Sequence, residues 1–419
     1  MTTQAPEREH SQDELVYGLP AWTYQNAELL DLEYQRLILG TWQVVCHAND
    51  VPEPGDYTTL ELMRDSIIVL RGRDGDLRAF HNVCRHRGAR LVDGPGKCRS
   101  RLVCPYHGWA YRLDGSLAGV PSEKSFPGLD KSCHGLNEVE LEVLLGFVFV
   151  RVAGEGPSLK DMWGDYVKTV APYEPEKMVA LTEVVEEEWD ADWKTVVDNN
   201  QENYHIPLGH PGYYRMLDSD MLGFSNEHGV GASISVHRTR PSSNWVERSY
   251  QELAPEALTH LPEKERKTWQ FFSMLPNHGI DIYPDSMDFF QILPIAPGRS
   301  RIRWGQFGKP DKSRKVNVLR YLNRRINRQV MSEDRDLSER VQFGLGAHGY
   351  EPGPLSIYET GVREFHDLIR ETIPVTKLDT APVPGALAEI DAQMLDQEDE
   401  GGPGDTTPPA PFPVSDAAE

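Results

Sequence analysis

Residues 84–111 read CRHRGARLVDGPGKCRSRLVCPYHGWAY. The two thiol–imidazole pairs inside them, Cys84-x-His86 and Cys104-x-x-His107, decide how the rest of the chain is understood. Two Cys and two His suit either a tetrahedral zinc or a 2Fe–2S cluster with thiolates on one iron and imidazoles on the other. The spacing separates these options. Zinc fingers pair Cys with Cys and His with His, whereas here each half carries one of each. Each half therefore supplies one ligand to each iron.

Gly88, Pro105, Gly108 and Trp109 flank the pairs. With CxH followed by CxxH, they resemble the two cluster loops of Rieske proteins. Outward from the loops lie short β-rich runs: TWQVVCHA (41–48), YTTLELM (57–63), SIIVLRG (66–72) and LRAFHNV (77–83). Asp74-Gly75 and Asp114-Gly115 are hairpin signals, and LLGFVFVRV (144–152) reads as a buried closing strand. A small all-β domain over 42–155 follows, with the cluster at the tips of two loops.

The chain has 419 residues, enough for two globular domains. No window has the apolar length of a membrane span, and the polar start MTTQAPEREHSQDELVYG lacks a signal-peptide core. A soluble, cytoplasmic protein is expected. The net charge of −22 argues against nucleic acid and anionic membrane as partners. Five cysteines are too few for a disulfide scaffold. Cys46, Cys98 and Cys133, outside the cluster pattern, are expected to be free thiols.

A second chemical centre stands in WKTVVDNNQENYHIPLGHPG (193–212). Pro207 and Gly209 break a helix between His205 and His210, so the second imidazole can turn back towards the first. Two imidazoles and a carboxylate on one face suit non-haem Fe(II) and leave room for dioxygen. Asn199, Glu202, His205 and His210 together resemble the mononuclear-iron motif of Rieske oxygenase α subunits. In that family a carboxylate three residues before the first His bridges to the cluster. Many relatives have Asp there and this chain has Glu202, as do some members that demethylate quaternary ammonium compounds.

The third iron ligand must come from elsewhere. EDRDLSERVQFGL (333–345) lies on a long helix expected from about Ser313 to Gly344. Its charges alone read as a solvated face with i,i+4 pairs. The family places its ligand Asp five residues before a Glu, which Asp334 and Glu339 match; Asp336 is the rival.

The resemblance covers about residues 20–373. It implies an α+β chain: the Rieske domain, then a larger catalytic domain over 156–375, an antiparallel sheet flanked by helices in a helix-grip-like arrangement. Residues 1–41 are expected to pack a capped helix on the catalytic domain, and 376–419 to form a disordered acidic, Pro-rich tail. The resemblance further implies a Rieske cluster on Cys84, His86, Cys104 and His107, and Fe(II) on His205, His210 and Asp334. Glu202, beside Asn199, is taken as one helical turn before His205, bridging to His107 of a neighbouring subunit in a homotrimer. No dinucleotide fingerprint is present, so electrons come from NAD(P)H through a separate ferredoxin or flavin-containing reductase.

The expected reaction is mono- or dioxygenation. Tyr213, Tyr214, Met216, Phe224, Phe271, Phe272, Phe289 and Phe290 give the pocket segments an aromatic cast. They suit ring hydroxylation or O-demethylation of a small aromatic compound, with N-demethylation of a betaine-like quaternary ammonium as the alternative. A Rieske electron carrier would need only the β domain, and a zinc-stabilised binding protein would be colourless.

Overall fold

Asn26 accepts the backbone N–H of Leu29 at 2.9 Å and so starts α1 (Ala27–Glu33), as its sequence position implies. In this computed structural model, which describes residues 15–219, 224–225 and 229–400, the helix continues through a wider turn to Ile38. Leu29, Leu30 and Leu37 pack with Trp189, Trp193 and Phe365, while Tyr34 and Ile38 pack with Val45, Leu60 and Ile67. The N-terminal helix thus wedges between two units.

The first unit contains β1 (Gln43–His47), β2 (Asp56–Leu62), β3 (Asp65–Arg71), β4 (Leu77–His81), β5 (Gly96–Lys97), β6 (Arg101–Val103), β7 (Ala110–Arg112), β8 (Leu117–Gly119), β9 (Glu138–Leu144) and β10 (Phe147–Arg151). They form an antiparallel sheet in the order β1-β10-β9-β4-β3-β2-β5 and a smaller one, β6-β7-β8, that carries the second cluster loop. Both hairpin signals turn where the sequence places them. At Gly115 (φ +81°) a Cβ would also fall 2.4 Å from the Phe80 ring. The closing strand β10 is buried at every position.

Residues 157–170 hold two short helices, α2 (Leu159–Trp163) and α3 (Tyr166–Val170). Gly164, at φ +48°, ends the first. Then come β11 (Val179–Ala180), β12 (Val185–Trp189), α4 (Trp193–Asn200), α5 (Ile206–Gly209), α6 (Pro211–Met216), β13 (Leu217–Ser219), β14 (Phe224–Ser225), β15 (Val230–His237) and α7 (Trp245–Ala257). The sheet is completed by β16 (Thr268–Met274), β17 (His278–Ile282), β18 (Met287–Ala296) and β19 (Arg299–Gly308), in the order β11-β19-β18-β17-β16-β15-β13. The long helix α8 (Arg314–Leu345) follows Ser313, and α9 (Thr360–Thr372) comes after it.

Alternation along these strands gives the sheet two employed faces. The row Phe272–Ile280–Phe289 packs towards the first unit, where Phe147 meets Phe289 and Phe307 at ring separations of 5.9 and 5.1 Å. Arg303 donates across the same boundary to the carbonyls of Val44 and Val45, each at 3.3 Å. The intervening row, Phe271–Asp281–Asp288–Gln306, turns the other way. There Gln306 reaches Asn323 of α8 at 2.8 Å.

The expected disordered tail is corrected over its first half. After a 3-10 turn at Pro374–Lys377, α10 (Leu387–Glu400) lies against the N-terminal helix with Leu387, Asp391 and Met394 buried. Asp391 accepts the backbone N–H of Val375 at 2.9 Å and pairs with Arg36. Offsets of four and three residues between these positions make a buried helical stripe, which an average over the acidic, Pro-rich segment conceals. Residues 1–14 and 401–419 lie outside the described residues.

Candidate functional site: two metal centres and a cavity

The two cluster loops repeat one conformation. Cys84 N–H donates to Ala89 O at 2.8 Å and Gly88 N–H to Cys84 O at 2.9 Å. In the second loop Cys104 N–H donates to Trp109 O at 2.8 Å and Gly108 N–H to Cys104 O at 3.0 Å. Each reversal needs left-handed backbone, which Gly88 (φ +72°) and Gly108 (φ +74°) supply.

Both thiols are buried, with Cys84 Sγ 3.3 Å from the Tyr111 hydroxyl. The His86 and His107 rings stand 4.7 Å apart at the rim, His107 exposed and His86 stacked on Trp109. Burial, with the neighbouring Cys104, pushes the Cys84 thiol above its ordinary range despite the Tyr111 hydrogen bond. Two buried thiols become thiolates when a metal takes their charge. Thiols inside and imidazoles at the rim fit a cluster with its histidine edge at the surface. Cys46, Cys98 and Cys133 are free.

The second centre is assembled from three segments. α4, capped by Asp192, carries Asn199 and ends at Gln201. Glu202 to His205 is then a turn, so the expected helical spacing between them is corrected. The contact arises otherwise: Glu202 Oε2 accepts His205 N–H at 3.0 Å and Oε1 lies 2.5 Å from His205 Nδ1. Pro207 sits in the first turn of α5, and Gly209 ends it where a Cβ would meet Leu337 at 3.0 Å and the His205 ring at 3.1 Å. The chain then turns His210 back onto His205, their Nε2 atoms 3.0 Å apart.

From α8, Asp334 Oδ1 comes within 2.9 Å of His210 Nε2 and 3.6 Å of His205 Nε2. Asn199 Nδ2 donates to the same oxygen at 2.7 Å. Asp336 is exposed, and Glu339 binds Arg335 at 2.9 Å. Ligand atoms of His205, His210 and Asp334 lie within 4.8 Å of one another, the only such His/Cys/Asp/Glu group among the described residues. Glu333, one residue before Asp334 on α8, holds His210 Nδ1 through its Oε2 at 2.9 Å. Each imidazole is thus held at Nδ1 by an outer carboxylate while Nε2 points inward, the usual support for a metal-bound histidine.

Burial alone would lower the His205 imidazole, but Asp334 and Glu202 outweigh it and lift it to about 9. Burial likewise opposes the charge of Asp334, and the two imidazoles bring it down to about 2. Two imidazoles facing one ionised carboxylate fit a divalent iron.

A cavity of about 160 Å³ opens on this centre. Of the aromatic residues anticipated, Tyr213, Phe271 and Phe290 line it with their rings, while Phe272 borders it from the strand and turns its ring onto Trp163 on the other sheet face. Met216 and Phe289 are core residues, Tyr214 is exposed, and the Phe224 side chain lies outside the described residues. Sequence reasoning missed two features. One is Asp281, which reaches the cavity from β17. The other is the buried relay in which Asp198 accepts from Tyr24 at 2.8 Å and bonds His366 at 2.8 Å. Neither has a local pattern to announce it.

Comparison with known proteins agrees with this construction. Residues 41–137 match the family described as "Rieske [2Fe-2S] domain", and 176–374 match "Ring hydroxylating alpha subunit (catalytic domain)". The carnitine monooxygenase oxygenase subunit of Escherichia coli is 34% identical over 387 residues, covering 87% of this chain and 96% of that protein. The glycine betaine monooxygenase oxygenase subunit of Chromohalobacter salexigens is 29% identical over 396 residues, with 87% of each covered. Among solved structures, the quaternary ammonium Rieske monooxygenase CntA with L-carnitine superposes with a TM-score of 0.71 at 22% identity, covering 88% of this chain and 99% of that one. Naphthalene 1,2-dioxygenase from Rhodococcus sp. gives 0.70 at 21%, covering 85% and 94%. At those identities the structures speak to the fold.

Proposed function

The chain belongs to the Rieske non-haem iron oxygenase α subunits, and from that premise we propose that it oxygenates a small quaternary ammonium compound. The observation that carries this reading is the cavity itself, small and walled by the rings of Tyr213, Phe271 and Phe290 beside the two imidazoles. Such rings hold a quaternary ammonium through their faces. They also suit an aromatic ring, which was the main expectation from sequence. Relatives that match along most of their length include proteins named for carnitine, glycine betaine and choline, so the alternative becomes the preferred reading.

In this account Cys84, His86, Cys104 and His107 hold the cluster, and His205, His210 and Asp334 hold the iron. When bound, the cluster stores electrons and the iron is where dioxygen is activated. The chain's own residues do the arranging. Glu202 and Glu333 fix the two imidazoles at Nδ1, Asn199 fixes the inward oxygen of Asp334, and the aromatic walls keep the substrate desolvated. The exposed edge of His107 suits a head-to-tail homotrimer in which it meets the neighbour's Glu202. A separate reductase or ferredoxin fed by NAD(P)H supplies electrons, which fits a cytoplasmic setting. No helix among the described residues is long and apolar enough to cross a membrane.

The test is oxygen uptake by the iron-loaded protein with a reductase supplied. L-carnitine, glycine betaine, choline, indole and naphthalene are compared. Stimulation by a trimethylammonium compound with release of its demethylated or hydroxylated product supports the reading. Stimulation and product from the aromatic compounds alone overturns it.

A further inference from the structure

The charges around the cavity are one-sided. Glu202, Asp281, Asp334 and Glu364 line it, and no Lys or Arg does among the described residues. Two of the four carboxylates are already committed to the metal centre, Glu202 through His205 and Asp334 through both imidazoles.

Asp281 is different. It stands on β17 directly across from Phe271 of β16, so its side chain shares a sheet face with one of the aromatic walls. Among the described residues its Oδ2 has one long contact, from the Tyr283 hydroxyl at 3.3 Å. Its Oδ1 is buried with no hydrogen-bond partner among the described residues. On its other side, Asp288 of β18 pairs with it across the strands, a second carboxylate where a cation would ordinarily be found. Burial pushes the Asp281 carboxyl up to about 7. A carboxylate kept in such a place, beside aromatic faces, is stabilised by a cation entering the cavity.

Resting on the quaternary ammonium reading, we propose that Asp281 is the counter-charge for the substrate's ammonium head, and that the cavity selects a net cation over a zwitterion. The second half follows from the same inventory. The carboxylate of a betaine or carnitine entering here would be desolvated among like charges with no Lys or Arg to meet it. An alcohol such as that of choline is served instead by the neutral groups of the lining, among them Asn199, Ser233 and Ser273. Volume sets the size: a cavity of about 150 Å³ accommodates a benzene-sized molecule, so the ligand is compact.

The test measures binding by titration calorimetry to the iron-loaded holoenzyme, for choline, glycine betaine and the uncharged carbon isostere of choline, 3,3-dimethylbutan-1-ol. The wild type should bind choline at least about tenfold more tightly than glycine betaine, the worth of one charge-assisted contact. Asp281→Asn should weaken choline by a similar factor and leave the isostere unchanged. Asp281→Glu, which keeps the charge, should retain the preference for choline over its isostere. Metal content and the cluster's visible spectrum establish that each variant is assembled, and the wild-type comparison stands even if a variant fails to fold. Glycine betaine binding as tightly as choline overturns the selection for a net cation while leaving the broader reading intact. Choline binding unaltered in an assembled Asp281→Asn overturns the role of Asp281. If no trimethylammonium compound binds and indole does, both this inference and the reading beneath it fall.

Discussion

Glu202 holds His205 at two points: Oε2 accepts its backbone N–H at 3.0 Å, and Oε1 sits 2.5 Å from its ring Nδ1. The carboxylate therefore fixes which ring nitrogen points at Asp334 without itself occupying the inner face. It is also a cavity residue and sits in a turn rather than inside a helix. A group so placed can serve the iron site from one side and meet another group from the other.

Replacing Glu202 therefore should not strip metal. In Glu202→Ala both the cluster and the mononuclear iron should remain, because no inner contact is lost. Oxidation of the reduced cluster by O₂ with substrate present should slow by orders of magnitude, with Glu202→Gln intermediate. Wild-type rates and product yield in Glu202→Ala would remove the bridging role.

Asp334 and Asp336 should behave oppositely. Asp334→Ala should lose mononuclear iron and keep the cluster signal in paramagnetic resonance, since Oδ1 of Asp334 is the carboxylate oxygen facing both Nε2 atoms. Asp336 is exposed on the same helix, and Asp336→Ala should keep both. Iron analysis with resonance spectra decides; loss of iron from the Asp336 variant alone would reverse the assignment.

How much of this was legible follows from how each feature is encoded. The cluster loops are local, so CxH, CxxH and their glycines specify them within a few residues. Asn26, Asp74-Gly75, Asp114-Gly115 and Ser313 are also local signals, and each marks the start of a helix or a turn between strands. His205 and His210 could be paired from the break at Pro207 and Gly209, but their partner on α8 needed a family spacing to be named. Asp281 and the Asp198–His366–Tyr24 relay are invisible in sequence because each is made by strands or helices far apart in the chain. The C-terminal helix was missed for another reason. Its stripe of Leu387, Asp391 and Met394 has a buried carboxylate in the middle, paired to Arg36 from the other end of the chain.

That pairing gives a stability prediction away from the chemistry. Asp391→Ala leaves Arg36 without its carboxylate and the Val375 N–H without its acceptor. The cost should be about 2–4 kcal/mol, seen as a lower thermal midpoint. Metal content at permissive temperature should be unchanged. A midpoint equal to wild type would mean that α10 contributes nothing to the fold.

His278 sets an acid limit. It is buried near Phe149 between the two units, neither ring nitrogen has a hydrogen-bond partner among the described residues, and burial lowers its pKa to about 3. The folded state therefore favours the neutral ring. Its contribution is fully present above the ordinary histidine value near 6.5 and is lost as pH falls towards 3. Between pH 6.5 and 5 the loss is about 2 kcal/mol, at roughly 1.4 kcal/mol per pH unit. The thermal midpoint should fall over that interval, and less steeply in His278→Leu. An equal fall in both proteins would show that His278 does not titrate on unfolding.

The most direct test of the central claim is a single turnover without any reductase. The protein, loaded with cluster and iron, is fully reduced and mixed with O₂ in the presence of choline, glycine betaine, L-carnitine or naphthalene. Cluster oxidation and product are then followed together. Rapid oxidation with near-stoichiometric product is expected for at least one trimethylammonium compound, and slow, unproductive oxidation with naphthalene. Productive turnover of naphthalene, with none of the three trimethylammonium compounds altered, would contradict it.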